Sequence, residues 1–509
     1  MKILFDTNIL IRITDVRTPL PPAYADVIRL ISELKFEIVY LRVQEDDFNR
    51  DSDLTRREIN ISRLRQYNVV DDAPKPSKEE IAFFRWKEHS PNDVVDNQLL
   101  YAIKRNVASF LVTEDKEMHQ KAIAASLQEQ VLTITELIEL LLEQSNARAL
   151  KQPKTAKVDT VKIYQLDLAD DFFDTLRKDY PRFNDWFSKV SQEGREGWVV
   201  RDEGGKILGL CIYKIEKNED LTDAGFRVTG SVIKLCTFKV SGGGYKLGEC
   251  LMQQALSFAA VNNASGVYVQ VRSLLQERLV TLLGSLGFSK IGQYKEDDVW
   301  LKLMKPDRIA FSIDSQTNLQ FDINYYPRYF DGVGVRKFII PIKPEYHNQL
   351  FPDARRDILL SQQNGFVYSS EANAIKKAYI CRSPINSIRV GDLVLFYRSQ
   401  DSKAVDTIGF VEQTLHTDDI DQVLALVARR TVFTKESLQL RLHGERALVI
   451  LFRFIEHLKR PVPMRQLTAA GMCGEIQTIR RISEKIYREI IRPELSPWGI
   501  PCRNDQFRR

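Results

Sequence analysis

The stretch Ser241-Gly-Gly-Gly-Tyr-Lys-Leu-Gly-Glu249 follows an apolar segment, 232–240, and precedes an amphipathic segment, 250–260. This order predicts a strand, a glycine turn and the start of a helix. Glycines allow the backbone to approach a ligand closely, and the unpaired N–H groups of a first helical turn favour an anion. The stretch therefore predicts a phosphate-binding loop. It is not a Walker loop, because Gly248 is followed by Glu249, and a dinucleotide fingerprint would need its third glycine at Leu247.

The neighbouring segments indicate which phosphate-containing ligand the loop binds. Strand-like segments at 197–201 and 206–213 come before the loop, and a strand-like segment at 266–271 and a helix-like segment at 276–286 come after it. With this order, the loop resembles motif A of the GNAT acetyltransferases over residues 161–304. The resemblance implies an α+β domain that binds acetyl-CoA. The implied cofactor contacts are Thr237, Phe238, Val240, Gly243, Gly244, Tyr245, Lys246, Gly248 and Glu249.

Two positions depart from the family pattern. Lys246 stands where a glycine is usual, and Leu283 stands where the family often has a tyrosine that acts as general acid. A leucine cannot protonate a leaving thiolate. The resemblance therefore supports CoA binding better than it supports acetyl transfer.

The composition is that of a globular protein, and the length of 509 residues predicts about three domains. The segments predict a multidomain α/β protein with no membrane-spanning helix and a cytoplasmic location. The six cysteines have no Cys-x-x-Cys spacing and the six histidines are dispersed, so neither disulfides nor a zinc site is expected. A net charge of +5, from 73 basic and 68 acidic residues, does not settle whether nucleic acid binds.

Acidic residues recur at the ends of strand-like segments in the first 143 residues. Asp6 follows an apolar start, Asp47 lies after segment 36–41, Asp93 and Asp96 open a helix-like segment, and Asp115 follows segment 109–113. Carboxylates at the carboxyl ends of parallel strands converge at one edge of a sheet. Oxygen-only ligands select Mg²⁺ or Mn²⁺, and two such ions can cleave a phosphodiester. A single aspartate at a helix start is, by contrast, most often a cap.

This pattern resembles the PIN-domain nucleases, many of which are ribonuclease toxins. The resemblance implies a parallel-sheet domain in which Asp6, Asp47, Asp96 and Asp115 are catalytic metal ligands. Asp93 competes with Asp96 as the helix ligand, and Glu45 and Asp46 compete with Asp47. RNA is the implied substrate, and a homodimer or an antitoxin-like protein is a possible partner.

The last third of the chain follows a linker at 144–160 and the GNAT-like segment. Several short strand-like segments predict a mostly-β barrel over residues 325–509. Within it, residues 390–399 and the strand after them resemble the PUA-like superfamily, especially its ASCH and EVE branches. The resemblance implies binding of RNA or a modified base, with Tyr368, Tyr379, Arg382 and Tyr397 as candidates for stacking and phosphate contacts. Ordinary strand packing explains each of these residues about equally well.

Three functions fit these segments. The first is a metal-dependent endoribonuclease, toxin-like or defensive, coupled to acetyl-CoA binding and a nucleic-acid reader. The second is an N-acetyltransferase acting on RNA or protein amines, with the PIN-like domain holding RNA. The third is ligand-gated binding without chemistry.

Overall fold

The computed structural model describes residues 1–15, 20–50, 53–146, 153–154, 157–202, 204–241, 246–273, 276–306, 315–351, 354, 367–368, 374–427, 442 and 446–501. The chain is a multidomain α/β protein with a five-stranded parallel sheet and two larger mixed sheets. It forms two compact units, and residues 1–150 with 416–429 and 433–447 make up the first. Residues 151–415, 430–432 and 448–509 make up the second. The finer division predicted within the second unit, between 304 and 325, stays a prediction.

The first unit contains a parallel sheet whose strand order is β3-β2-β1-β4-β5. Its strands are β1 (Lys2–Phe5), β2 (Glu37–Leu41), β3 (Asn68–Val70), β4 (Phe110–Val112) and β5 (Val131–Leu132). Its helices are α1 (Thr7–Thr14), α2 (Pro22–Glu33), α3 (Gln44–Asn49), α4 (Leu54–Leu64), α5 (Lys78–Phe84), α6 (Pro91–Lys104), α7 (Lys116–Ala124) and α8 (Ile134–Asn146).

The apolar start of the chain explains why β1 lies in the middle of that sheet. Ile3, Leu4 and Phe5 are all fully buried. Because side chains alternate along a strand, Ile3 and Phe5 pack into one hydrophobic cluster and Leu4 packs into another. A central strand of a parallel sheet is covered on both faces, which requires this continuous apolar run.

The second unit begins with a seven-stranded mixed sheet of order β12-β13-β11-β10-β9-β8-β7. The elements of this region are β6 (Pro153–Lys154), β7 (Val158–Lys162), α9 (Asp174–Asp179), α10 (Phe183–Gln192), β8 (Glu196–Arg201), β9 (Ile207–Lys217), β10 (Ser231–Val240), α11 (Leu247–Val261), β11 (Gly266–Val271), α12 (Glu277–Ser285), β12 (Ser289–Tyr294) and β13 (Asp297–Leu303). Strands β10 and β11 pair in parallel, and the other neighbouring strands of this sheet pair antiparallel.

The remainder of the second unit is built on a six-stranded sheet of order β17-β20-β19-β18-β15-β21. The elements of the rest of the chain, of which α15 belongs to the first unit, are α13 (Ser315–Tyr325), β14 (Tyr329–Phe330), β15 (Lys337–Ile342), α14 (Pro344–Leu350), β16 (Val367–Tyr368), β17 (Lys376–Cys381), β18 (Leu393–Arg398), β19 (Ala404–Thr417), α15 (Ile420–Val427), β20 (Ala447–Pro463), α16 (Met464–Ala469), β21 (Arg480–Arg481), α17 (Glu484–Ile486) and β22 (Gly499–Ile500).

Two features of this sheet differ from the expected small barrel. Strand β15 pairs in parallel with β18. Among the described strands, the pairing runs from β17 to β21 without returning to β17. The core is shared with the preceding sheet, because one hydrophobic cluster includes both Leu251 of α11 and Leu395 of β18.

Every helix within the described residues is too short or too polar to cross a lipid bilayer.

Candidate functional site

The predicted acids of the first unit meet at the carboxyl ends of β1 and β4. Asp6 is only 3% exposed, and its Oδ2 accepts a hydrogen bond of 2.7 Å from the Thr113 hydroxyl. The Thr113 oxygen in turn accepts a hydrogen bond of 3.0 Å from the Asp115 N–H. Thr113, which the sequence did not single out, therefore connects two of the predicted site residues.

The pKa values show that the carboxylates interact. Burial raises the pKa of Asp6, and the charges of Asp115 and Asp47 raise it further. Burial also raises the pKa of Asp96 to about 7, with additional contributions from Asp6, Asp115 and Asp93. The structure thus brings these acids close enough to influence one another.

Several of these carboxylates already have partners within the protein. Asp47 accepts a hydrogen bond of 3.0 Å from the Thr7 hydroxyl and lies 2.8 Å from the Arg50 guanidinium. Asp115 caps α7 by accepting a hydrogen bond of 2.7 Å from the Glu117 N–H. The capping that commonly explains a single aspartate is therefore present at Asp115.

A buried lysine lies beside the two acids of α6. The side chain of Lys121 is 6% exposed, and its Nζ lies 3.0 Å from Asp93 Oδ1 and 3.8 Å from Asp96 Oδ2. Burial alone would raise the pKa of Asp93, but hydrogen bonds from Lys121, His89 and Ser90 hold that pKa well below its usual range. Burial dominates the pKa of Asp96, which lies farther from the ammonium, so its pKa moves in the opposite direction.

The cluster agrees with the predicted metal site in chemistry but not in geometry. Carboxylate oxygens are the donors that Mg²⁺ and Mn²⁺ prefer. However, nowhere in the described part of the chain do three His, Cys, Asp or Glu side chains form a group that could hold a metal ion. Lys121 supplies a positive charge where a metal ion was expected. The roles of Asp6, Asp47, Asp93, Asp96 and Asp115 as metal ligands therefore stay a prediction, and we derive no step through a metal.

The competing acids near Asp47 have other contacts. Glu45 accepts hydrogen bonds from Tyr40 at 3.0 Å and from Arg42 at 2.6 Å. Asp46 is exposed. Asp47 is therefore the acid of this segment that faces Asp6.

The second unit has a gap in its central sheet. Strand β10 pairs with β11 only from Val232↔Gly266 to Leu235↔Val269, although β10 continues to Val240. A β-bulge interrupts β10 between Leu235 and Thr237, and the residues after it pair only with β9. Bulges bend a strand and change the direction of its backbone groups. The two parallel strands therefore separate at their carboxyl ends.

The register of β10 shows which backbone groups face this gap. The Ser241 N–H donates to Leu208 O on the β9 side at 2.8 Å. Because the direction of these groups alternates along an antiparallel pair, Lys239 also faces β9, whereas Phe238 and Val240 direct their N–H and C=O groups into the gap. Phe238 and Val240 are two of the predicted cofactor contacts. Thr237, the third on this strand, directs its backbone toward β9.

The predicted phosphate loop joins the gap to α11. Gly243, Gly244 and Tyr245 lie outside the described residues. Lys246 has a left-handed φ of 47° and provides no side-chain cap for α11. The N–H groups of a first helical turn have no partner within the helix. Without a side-chain cap, they can bind a ligand that lies at the N-terminus of the helix. A Cβ on Gly248 would meet its nearest protein atoms at 3.5 Å, an ordinary contact.

Glu249 has contacts that the sequence did not predict. One of its carboxylate oxygens accepts a hydrogen bond of 2.8 Å from the Ile375 N–H, and the other lies 3.3 Å from Lys246 Nζ. Its side chain thus links the start of α11 to the segment before β17. Leu283 is fully buried in the core, where it offers no proton to a leaving group.

The candidates for nucleic-acid binding fall in different environments. Tyr397 is 4% exposed and packs in the core, which agrees with ordinary strand packing, and its stacking on a base stays a prediction. Tyr379 is half-buried and its hydroxyl donates to Pro341 O at 2.7 Å. Arg382 is exposed, and the side chain of Tyr368 lies outside the described part of the chain.

Comparisons with solved structures show similarity over partial regions only. No protein-family model and no curated protein matches the sequence. ASCH from Zymomonas mobilis is 15% identical, with 30% of this chain and 95% of that chain covered and a TM-score of 0.22. A GNAT family N-acetyltransferase from Escherichia coli in complex with CoA is 14% identical, with 30% and 83% covered and a TM-score of 0.21. Aminoglycoside 6'-acetyltransferase type Ii is 16% identical, with 30% and 99% covered and a TM-score of 0.23.

Proposed function

We propose that the central region of the second unit binds acetyl-CoA and transfers its acetyl group to an amine. The observation that carries this proposal is the gap between β10 and β11, at which the backbone groups of Phe238 and Val240 have no β11 partner. The pantetheine arm of CoA contains two amides. A chain with amides can pair with an open strand edge as an added strand would, which fixes its direction and depth.

The start of α11 supports the same ligand. The helix begins seven residues after β10 ends, so an arm lying along Phe238 and Val240 leads toward its N-terminus. N–H groups and the helix dipole at this end favour a pyrophosphate. The Lys246 ammonium adds a positive charge there.

The transfer step needs little help at the leaving group. The amine nitrogen forms a bond to the acetyl carbon, the carbon–sulfur bond breaks, and the amine loses one proton. CoA leaves as a thiolate and takes up a proton from water. A thiol ionises near pH 8.5, so its thiolate is a stable leaving group near neutrality. The leucine at position 283 is therefore compatible with transfer.

Calorimetry with acetyl-CoA tests the proposal on the full-length protein. We expect saturable heat for the unchanged protein and at least about a tenfold loss of affinity in Gly248→Val, since its Cβ would lie 3.8 Å from the Phe238 ring, beside the strand edge that the arm would follow. Gly284→Ala is the matched control, because it lies in α12 and its added Cβ meets nothing within 4 Å. Absence of heat and of thermal stabilisation at saturating acetyl-CoA would exclude the proposed function.

A second candidate function is hydrolysis of RNA by the acid cluster of the first unit. It is favoured by the raised pKa values of Asp6 and Asp96, which burial raises most and to which the charge of Asp115 contributes in both cases. Incubation of purified protein with total RNA, with Mn²⁺ or with a chelator, tests it. Asp6→Asn is expected to reduce cleavage more than about 100-fold, since even residues that only support a site cost about 10–100-fold. Asp71→Asn, an exposed partner of Arg42, is the control. Full cleavage by Asp6→Asn would eliminate this candidate.

A further inference from the structure

A polar cleft opens on the face of the central sheet opposite α11. Its volume is about 230 Å³, and its lining includes Lys214, Lys234, Cys236 and Gln270. Leu235 and Val269, which alternate with these residues, pack in the cluster that contains α11. Because side chains alternate along a strand, the cleft and α11 lie on opposite faces.

The cleft reaches the gap described above. Leu235↔Val269 is the last parallel pair, and Cys236 and Gln270 are the next residue on each strand. Both line the cleft. A thioester inserted between the separating strands from the α11 side would therefore arrive at the floor of this cleft. The cleft has the position that an acyl acceptor requires.

The charges that line the cleft are mostly positive. Arg195, Lys214 and Lys234 line it together with one acid, Glu216. Both oxygens of Glu216 have partners, because Oε2 accepts from the Tyr268 hydroxyl at 2.5 Å and Oε1 lies 3.0 Å from Lys214 Nζ.

Two of the three cations also have acidic partners. Arg195 pairs with Glu193, and Lys214 lies 3.6 Å from Glu219; both of these acids are more than a third exposed. Solvent screens such exposed partners.

Lys234 differs from the other two cations. Its Nζ lies 5.5 Å from the centre of the Tyr268 ring and 5.8 Å from that of Tyr294. No carboxylate of the described residues lies within ion-pair distance of it. Contact with aromatic rings stabilises an ammonium less than an anion does, so this cation is available to a ligand.

We infer that this cleft holds the acyl acceptor and that Lys234 selects amines that carry an anionic group, a phosphate or a carboxylate. The inference rests on the proposed function. Lys234 binds the anionic group while the amine of the same molecule faces the thioester at the gap. The amine attacks the acetyl carbon and the carbon–sulfur bond breaks. The amine loses its proton to water, and CoA leaves as a thiolate that takes up a proton from water.

The test compares matched amines on the full-length protein. Ethanolamine is compared with O-phosphoethanolamine, and glycinamide with glycine, so that the phosphate and carboxylate sources are read separately. Release of CoA from acetyl-CoA measures transfer. Protection of Cys236 from iodoacetamide, quantified on its peptide by mass spectrometry, measures occupancy of the cleft without acetyl-CoA. Burial raises the pKa of Cys236, so alkylation is run at mildly alkaline pH.

At least one anionic amine is expected to act at about a tenfold lower concentration than its neutral partner in both measurements, the effect of one well-placed charge. Lys234→Gln is expected to abolish the preference and Lys234→Arg to retain it. Lys290→Gln is the control, because Lys290 lies on β12 of the same sheet and pairs with Asp298.

Equal use of neutral and anionic amines, or a preference that persists in Lys234→Gln, would overturn the inference while acetyl-CoA binding stands. Absence of heat with acetyl-CoA would instead remove the proposed function itself, and with it the role of the cleft as an acceptor site.

Discussion

The acid cluster of the first unit and the gap of the second both lie at the carboxyl ends of parallel strands. They differ in whether their polar groups have partners within the protein. In the cluster, Asp47 pairs with Thr7 and Arg50, Asp93 with Lys121, and Asp115 with the amides of α7. At the gap, the backbone groups of Phe238 and Val240 face an open strand edge. A buried or half-buried polar group without a protein partner is costly, so an open edge indicates a ligand more strongly than a partnered acid does.

The largest expected effect is that of removing Lys121, the buried cation beside the acid cluster. We expect Lys121→Met to lower the free energy of unfolding of the first unit by up to about 3 kcal/mol, because it leaves the half-buried Asp93 carboxylate without its ammonium. Hydrogen exchange of peptides within 91–125, measured over a urea series, reports this region in the full-length chain.

Lys87→Met is the control for the loss of a lysine. Lys87 also pairs with a carboxylate, that of Glu117, but its side chain is 65% exposed. An exposed pair contributes less than about 1 kcal/mol. Equal effects of the two substitutions would show that the acids are not balanced by Lys121.

Local sequence patterns predicted the elements well where a strand is an apolar run between turn residues. The strand Gly266–Val271 has the predicted bounds. Patterns could not predict contacts made across the chain. Glu249 bonds to Ile375, 126 residues away, and Lys121, on a helix whose charges predict a solvated face, is buried beside Asp93. The burial of Tyr397 could not be predicted either. Burial of a strand residue depends on what covers its face, and the residue's own segment does not encode that.

The open edge makes a second prediction, for hydrogen exchange within β10. The Lys239 amide, which faces β9, is expected to exchange slowly, and the Phe238 and Val240 amides quickly. Acetyl-CoA at about 100 times its dissociation constant is expected to slow exchange at Phe238 and Val240 by up to about 100-fold. Electron-transfer fragmentation of the 231–241 peptide resolves these positions. Equal protection of all three amides without ligand would show that the edge is closed.

The smallest expected effect is the pH dependence of the acid cluster. Burial raises the pKa of Asp96 to about 7, compared with about 3.9 in an unfolded chain. Between these values the folded protein binds more protons than the unfolded chain, so this group makes stability fall as the pH rises from about 4 to about 7. Asp96→Asn removes this loss. We expect its stability relative to the unchanged protein to rise by about 1–2 kcal/mol between about pH 5 and pH 8.

Asp93→Asn is the control with the opposite sign. Hydrogen bonds from Lys121, His89 and Ser90 hold the pKa of Asp93 below its usual range against the effect of burial, so its carboxylate stabilises the fold above the unfolded pKa. The stabilisation is lost only as the pH falls through the lowered pKa. Asp93→Asn is therefore expected to destabilise the first unit near neutral pH, where Asp96→Asn stabilises it. Urea unfolding at several pH values measures both. A shift of stability in the same direction for both variants at neutral pH would contradict the prediction. It would show that Lys121 does not stabilise the Asp93 carboxylate more than the Asp96 carboxylate.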